Sequence, residues 1–415
     1  MRIAFLLTEF PVISELFIVR QITGLLERGH EVTIFAEPSA NPARHERIEA
    51  FGLLERTVFR SAAPASMPAR LSGLLRVARA EPTRGALSVL RTANPLRRGQ
   101  EALNARLAYA VHGWAGAGDF DLVHAHFGPN GVVAVDLRAV GCFDAPVLTT
   151  FHGHDINVLP GGPGARGYDR LFNEGDAFTF NSQFLVDKAA TLGCPPERSE
   201  ILRMGVELPP SDEMRRPATG PMRVLTVARL VPEKAVRDAI AAVQRAVAGG
   251  AELRYRIVGG GPLEVELKAQ IASAGLEEIV SMTGAASEVE VRQAYRESDL
   301  FVLPSIRAAD GSEEAQGLVL QEAQAMGLPV LTTSIGGIPE GVDDGGSGYL
   351  VPPGDVDALA ARLTECANDP ELRERLGRRG RELVEERFDI ERLNDRLVAV
   401  YEDTIRGRSG ATTQI

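Results

Sequence analysis

The stretch from Leu300 to Thr333 constrains the fold more than any other, because it spells out one complete crossover unit of a parallel sheet. Leu300-Phe301-Val302-Leu303-Pro304-Ser305 is a short apolar run closed by a breaker, the pattern of a strand buried on both faces. A loop rich in small and charged residues, Ile306 to Gln316, follows and carries Glu313 and Glu314. Next comes a helix, with Leu318, Leu320, Ala323 and Met326 at helical spacing and Gly327 and Pro329 to stop it. Val330-Leu331-Thr332-Thr333 is the following strand. Open α/β sheets bind ligands at the carboxyl ends of their strands, so this loop is where a polar site belongs. Glu314 stands ahead of the helix and Glu322 inside it, eight residues apart, and the free N–H groups near Gly317 and Leu318 point forward. Such a set can accept hydrogen bonds from sugar hydroxyls and donate them to phosphate.

The same alternation opens the chain. Arg2 to Leu7 reads as a strand, Glu15 to Arg28 as a helix with Leu16, Val19, Ile22, Leu25 and Leu26 on one face, and Glu31 to Phe35 as the next strand. The prolines of Gly205 to Pro221 read as a break, after which Arg223 to Val227 begins a second doubly wound domain. At 415 residues the chain is too long for one core, and two domains are expected, at 1–208 and 222–388, joined by a linker at 209–221. Helices should continue through 389–406, leaving 407–415 as a disordered tail.

A net charge of −11 excludes nucleic acid as a general partner. Cys142, Cys194 and Cys366 are too few and too scattered for a disulfide framework or a zinc site, which fits a reducing compartment. No charged-then-apolar leader precedes the first strand and no apolar run is long enough to span a bilayer, so the expected place is the cytoplasm. Residues 66–106 are the exception in charge, with eight arginines against two glutamates, a net of +6 that leaves −17 on the rest. With leucines and valines between the arginines, the stretch reads either as basic amphipathic helices on the anionic inner face of a membrane or as a solvated arginine face.

Further strand ends supply the remaining candidates. Arg229 and Lys234 follow the strand at Arg223–Val227 and form an anion site beside the start of a helix at 235–248. Tyr255 to Leu263 is a strand and glycine turn whose spacing does not match a dinucleotide fingerprint. His124-Ala125-His126 and His152-Gly153-His154-Asp155 lie at the ends of two N-terminal strands. Paired histidines suggest a metal, but alternation along a strand sends only every other side chain the same way and no carboxylate set accompanies them, so no metal is expected.

The ordered set Glu314-x7-Glu322, with Glu-Ala-x-Ala-Met-Gly-x-Pro-Val and then Gly336-Gly337-x-Pro339-Glu340, resembles the nucleotide-sugar site of family 4 retaining glycosyltransferases. The resemblance implies the GT-B fold, in which two Rossmann-like domains face a central cleft and the terminal helix crosses back to the first. It implies transfer of a sugar from a nucleotide diphosphate sugar, without metal or other cofactor, to a saccharide, lipid-linked or other hydroxyl acceptor. The Arg229-Leu-x-x-x-Lys234 set would hold the diphosphate, although the glycine usual after the lysine is here Ala235. Glu314 would meet the transferred sugar and Glu322 the ribose; Gly259, Gly260, Gln316, Gly317, Leu318 and Val319 would complete the donor site, with Thr283 and Gly284 near the base. His126 would lie beside the donor sugar, with Glu9, Phe10, Ser14, Glu15, His152 and Asp155 on the acceptor side. In place of the family's glycine pair near residue 10, the Phe-Pro-x-x-Ser-Glu form is similar to bacterial exopolysaccharide glycosyltransferases. The competing readings are a sugar-nucleotide epimerase on the same fold, a non-catalytic nucleotide-sugar-binding protein and a nicotinamide enzyme. The intact Glu314, Glu322, Arg229 and Lys234 disfavour the second and the glycine spacing the third.

Overall fold

A computed structural model describes residues 1–42, 45–60, 63–64, 66–70, 72, 89, 91–92, 106–111, 113–114, 118–158, 167–215 and 220–412. The chain forms two compact units: unit 1 is 1–180, 186–202 and 394–415, and unit 2 is 181–185 and 203–393.

In unit 1 the described strands are β1 (Arg2–Phe10), β2 (Glu31–Pro38), β3 (Thr57–Phe59), β4 (Leu122–His126), β5 (Val147–Phe151), β6 (Ala177–Phe180) and β7 (Ser199–Ile201). They form one parallel sheet in the order β3-β2-β1-β4-β5-β6-β7. Ile3 to Leu7 and all of β4 and β5 are buried, as expected for strands covered on both faces. The helix Leu16–Glu27 buries Ile18, Val19, Ile22 and Leu25 and ends at Gly29, whose φ of 78° is the left-handed conformation that closes many helices.

Unit 2 carries β8 (Met222–Val227), β9 (Leu253–Val258), β10 (Val280–Met282), β11 (Leu300–Leu303), β12 (Val330–Thr333) and β13 (Gly348–Val351), in the order β10-β9-β8-β11-β12-β13. Every pairing is again parallel. Neighbouring residues of one strand face opposite cores. Val224, Val302 and Leu331 pack with Ile240, Val243, Leu359 and Leu363 on one face. Leu225, Phe301 and Val330 pack with Leu320, Ala323 and Met326 on the other.

Two segments depart from the sequence expectation. The proline-rich stretch expected as a linker is packed onto unit 2 where it is described: the backbone N–H of Arg215 donates to Met326 at 3.1 Å, and its nearly buried guanidinium lies 3.7 Å from Asp299. An arginine that can reach a buried carboxylate ties down a chain that proline content alone would leave loose. The last helix, Ile390–Thr412, runs on through Gly407 into the expected tail. Arg408 holds that turn by ion pairs to Asp144 at 2.9 Å and Asp176 at 3.6 Å. Of the basic stretch, Arg70 is buried, with Nε donating to Pro64 at 2.6 Å, and Arg91 donates to the carbonyl of Val140 at 3.2 Å; Arg76, Arg79, Arg84, Arg97 and Arg98 lie outside the described residues. Among the described residues no helix is long and apolar enough to cross a membrane.

Candidate active site

In unit 2 the candidates gather at the carboxyl edge of β8, β9 and β11. After β8 the chain passes tightly against the turn that follows β9: a Cβ on Gly259 would stand 1.9 Å from the carbonyl oxygen of Ala228, and the N–H of Leu230 donates to Gly260 at 2.9 Å. Close backbone approach therefore requires Gly259, while a Cβ on Gly260 would meet nothing nearer than 3.9 Å. The N–H of Gly259 donates to Gly284 at 2.8 Å, which brings Thr283 and Gly284 alongside.

A 3-10 turn at Pro232–Lys234 then presents Lys234, whose Nζ forms an ion pair with Oε1 of Glu314. Ser305 Oγ donates to the same oxygen at 3.2 Å. With side-chain exposures of 17% and 10% the pair is largely withdrawn from solvent, so its attraction is only weakly screened. One of the lysine's three N–H groups suffices for Glu314, leaving others for an anion. Arg229 is 66% exposed and pairs with Glu233 at 3.6 Å.

Gly317, at φ 78° and ψ 52°, turns the loop into the helix Leu318–Ala325, and no side chain caps that helix, so the N–H groups of its first turn face forward. Glu322 sits one turn inside, held by the hydroxyl of Tyr295, which donates to its Oε2 at 3.2 Å. The loop bearing Glu314 rests on Gly336 and Gly337, where a Cβ would come within 1.9 Å of the Glu314 carbonyl oxygen and 1.8 Å of that of Ala315. The side chain of Gln316 turns to the main chain of Met204, accepting from its N–H at 2.8 Å and donating to its carbonyl at 2.9 Å. Glu340 accepts from the N–H groups of Gln183 and Phe184 at 2.9 and 3.0 Å, capping the helix that begins there.

Unit 1 builds a different centre at the edge of β4 and β5. His126 is fully buried; its Nδ1 is hydrogen-bonded to Nε2 of His152 at 3.0 Å, and its ring stacks on Phe5 with centroids 5.4 Å apart. Its carbonyl accepts from Nδ2 of Asn130 at 2.8 Å. Burial, and after it the nearby imidazoles, hold the pKa of His126 well below the usual histidine range, while burial brings His124 and His152 down to about 3. All three imidazoles are therefore neutral at physiological pH. Nε2 of His126 and Nδ1 of His152 are buried without a hydrogen-bond partner among the described residues.

Asp155 is buried and shapes the turn: it accepts from the N–H groups of His152 at 3.1 Å, Gly153 at 2.9 Å and Gly128 at 3.0 Å. Burial raises its pKa and those bonds oppose the rise. Glu9 and Ser14 are exposed and Phe10 is buried. Glu15, at the end of a 3-10 turn, is raised to about 7 by burial and by the charge of Glu9. Among the described residues no cluster of His, Cys, Asp and Glu is arranged to hold a metal ion.

The residues that sequence reading missed are supports: Ser305 on Glu314, Tyr295 on Glu322, Asn130 on the carbonyl of His126, and the His124 network described below. Ser305 could have been found as the polar residue closing a buried strand. Tyr295 lies 27 residues from Glu322 and leaves no local signal.

Two parallel doubly wound units of this kind, each with its polar residues at the carboxyl edge, are the architecture of the GT-B fold. The profile of Glycosyltransferase Family 4 matches residues 14–208, and that of Glycosyl transferases group 1 matches 212–383. The chain is 35% identical to the putative colanic acid biosynthesis glycosyltransferase WcaL of Salmonella typhimurium, over 97% of this chain and 100% of that one. It is 32% identical to the amylovoran biosynthesis glycosyltransferase AmsK of Erwinia amylovora, over 88% and 90%. Its fold is that of Anabaena Alr3699/HepE, solved in complex with UDP and glucose, at a TM-score of 0.71, 19% identity and coverage of 97% and 100%. The chain belongs to the family 4 glycosyltransferases of the GT-B fold.

Proposed function

We propose that this glycosyltransferase moves a sugar from a nucleotide diphosphate sugar to a hydroxyl of a saccharide or lipid-linked saccharide, with retention at the anomeric carbon, in the synthesis of an extracellular polysaccharide. The observation that carries the reading is the withdrawn Lys234–Glu314 pair at the carboxyl edge of β8 and β11, with the exposed guanidinium of Arg229 on the same connection. Relatives named for colanic acid and amylovoran biosynthesis, and a structural neighbour holding UDP and glucose, support it.

In unit 2, Arg229 and Lys234 hold the diphosphate together with the turn at Gly259 and Gly260 and the helix start at Gln316 to Val319. Thr283 and Gly284 face the base, Glu322 takes the ribose hydroxyls, and Glu314 takes the transferred sugar. In unit 1, Glu9, Phe10, Ser14, Glu15, His152 and Asp155 form the acceptor side, and His126 acts on the sugar. As the bond from the anomeric carbon to the phosphate oxygen breaks, negative charge grows on the diphosphate, where preorganised cations and N–H dipoles stabilise it most. The acceptor oxygen bonds to the carbon on the face that the phosphate leaves, and the departing phosphate oxygen takes the acceptor's proton. The neutral His126 is then a hydrogen-bonding group or, through its carbonyl, a stabiliser of the positive anomeric carbon, and it need not be a general base because the phosphate oxygen takes the proton. The cations make a divalent ion or other cofactor unnecessary.

The test is a panel of nucleotide sugars offered with and without chelator, following nucleotide release and the anomeric configuration of the product. Release of one nucleotide with an unchanged anomer, insensitive to chelator, is expected. Binding without release makes the chain a binding protein, an isomerised nucleotide sugar makes it an epimerase, and loss of activity with chelator removes the metal-independent mechanism.

A further inference from the structure

Behind His126, unit 1 contains a buried polar chain that the proposed reaction does not use. The hydroxyl of Tyr401, on the last helix, is hydrogen-bonded to Nδ1 of His124 at 2.6 Å. Nε2 of His124 is bonded to Thr150 Oγ1 at 2.7 Å, and that hydroxyl to Thr179 Oγ1 at 2.6 Å. His124, Thr179 and Tyr401 are 0% exposed and Thr150 is 3% exposed. Both nitrogens of His124 are therefore satisfied, one by the helix and one by the sheet, so the ring cannot rotate without breaking a buried hydrogen bond, whichever tautomer it holds, since each hydroxyl can donate or accept. Its face lies against His126, with ring centroids 4.2 Å apart, and Phe5 packs on both imidazoles at 5.0 and 5.4 Å. His126 itself has one side-chain hydrogen bond, to His152, and its orientation is otherwise set by these ring contacts.

We infer that Tyr401 is a positioning residue for sugar transfer: by fixing the His124 ring it holds His126 in the orientation in which Nδ1 bonds to His152 and Nε2 has no protein partner among the described residues, so that docking of the last helix on unit 1 is a condition of turnover. The inference rests on the reading that His126 acts on the transferred sugar. A tyrosine needed for packing alone requires only its ring. A positioning tyrosine requires its hydroxyl, because without it His124 Nδ1 is a buried, unsatisfied nitrogen and Thr150 is left as the ring's one hydrogen-bonded tether.

Tyr401→Phe keeps the ring and removes the hydroxyl, and Thr150→Val removes the opposite tether of His124. Both should lower kcat about tenfold, the effect of one lost buried hydrogen bond. KM for the nucleotide sugar should stay within about twofold, and the imidazole 15N resonances of His126 should shift. In a double-mutant cycle, Tyr401→Phe should add nothing to His126→Ala, since a residue acting through another loses its effect when that other is gone. Parent kcat in Tyr401→Phe, unshifted His126 resonances, or losses that multiply in the double variant would each overturn the inference. If His126→Ala alone keeps full turnover, the reading of His126 has failed; if His126→Ala is impaired but Tyr401→Phe is not, only the positioning role has. Should Tyr401→Phe not fold, Thr150→Val decides by the same readouts.

Discussion

The polar centres of the two units occupy matching places, each at the carboxyl edge of a parallel sheet, and they accommodate burial by different chemistry. Unit 1 buries imidazoles and keeps them uncharged, bonding ring to ring and ring to hydroxyl. Unit 2 keeps a full ion pair, adds a hydrogen bond from Ser305 to its carboxylate, and leaves Arg229 largely in water. A neutral network tolerates complete burial because each group needs only a hydrogen bond, whereas charges taken wholly out of water cost several kcal/mol apiece. The charged centre therefore suits a site that receives a charged diphosphate, and the neutral centre suits sugar hydroxyls.

Acid should separate the two units most strongly. All seven histidines precede residue 155 and none falls in unit 2. His124, His126 and His152 have folded pKa values below the unfolded 6.5, so the unfolded chain binds more protons and stability falls as pH drops from about 6.5 toward about 3. By pH 5 His124 and His152 each contribute a loss on the order of 2 kcal/mol, and His126 acts in the same direction. Glu15, raised to about 7, and the buried Asp155, also raised, act in the opposite sense, since on acidification the folded state takes their protons first; they are two groups against three. Hydrogen exchange at pH 5 should show unit 1 opening well before unit 2. Equal protection in both would mean that the imidazoles take up protons without unfolding.

The next effect belongs to the charged centre. Lys234→Ala should lower turnover about a hundredfold, on the order of 3 kcal/mol of lost stabilisation of the departing diphosphate. It should also lower the melting temperature, because Glu314 is left largely buried without its cation. Arg229→Ala, whose guanidinium is exposed, should lower turnover comparably without the stability loss. Turnover near the parent value in both variants would remove this pair from the chemistry. Glu322→Ala should be milder, weakening nucleotide binding about tenfold with little change in kcat, as expected for hydrogen bonds to a charged acceptor. Calorimetric titration with the free nucleotide checks it, and unchanged affinity would place the ribose elsewhere.

What the sequence made legible in these centres was whatever is local. Apolar runs, glycine stops and helical spacing placed β8, β9, β11, β12 and the loop carrying Glu314 close to where they lie, because each signal sits within a few residues of its effect. Pairings between distant residues were not legible. Nothing near Lys234 says that its partner is 80 residues away, and nothing near His124 says that Tyr401, 277 residues later, completes its hydrogen bonds. The bonds from the N–H groups of Gln183 and Phe184 to Glu340, some 157 and 156 residues away, were equally hidden. The sequence signal at Gln316 was sound for position and silent on direction: a residue at the loop-to-helix junction can send its amide toward a ligand or, as here, to the main chain of Met204.

The smallest effect expected is at Ala235, where a glycine would be usual. Ala235 has φ 45° and ψ 38°, left-handed backbone at the residue joining Lys234 to the helix Val236–Ala248, and it is only 2% exposed. For a residue with a Cβ that conformation costs roughly 1–2 kcal/mol, which Ala235→Gly would relieve. The same change removes a buried methyl group worth about 0.8 kcal/mol and loosens the unfolded chain by about 0.4–1 kcal/mol. These terms nearly cancel, so the melting temperature of unit 2 should move by no more than about 2 °C. Donor affinity and turnover should also hold, because the turn that presents Lys234 already has the glycine geometry. A rise of more than about 4 °C would show that the strain outweighs the methyl group. A tenfold loss of turnover at unchanged stability would show instead that the methyl group helps to aim Lys234, making the charged centre as dependent on its supporting shell as the histidine centre is on Tyr401.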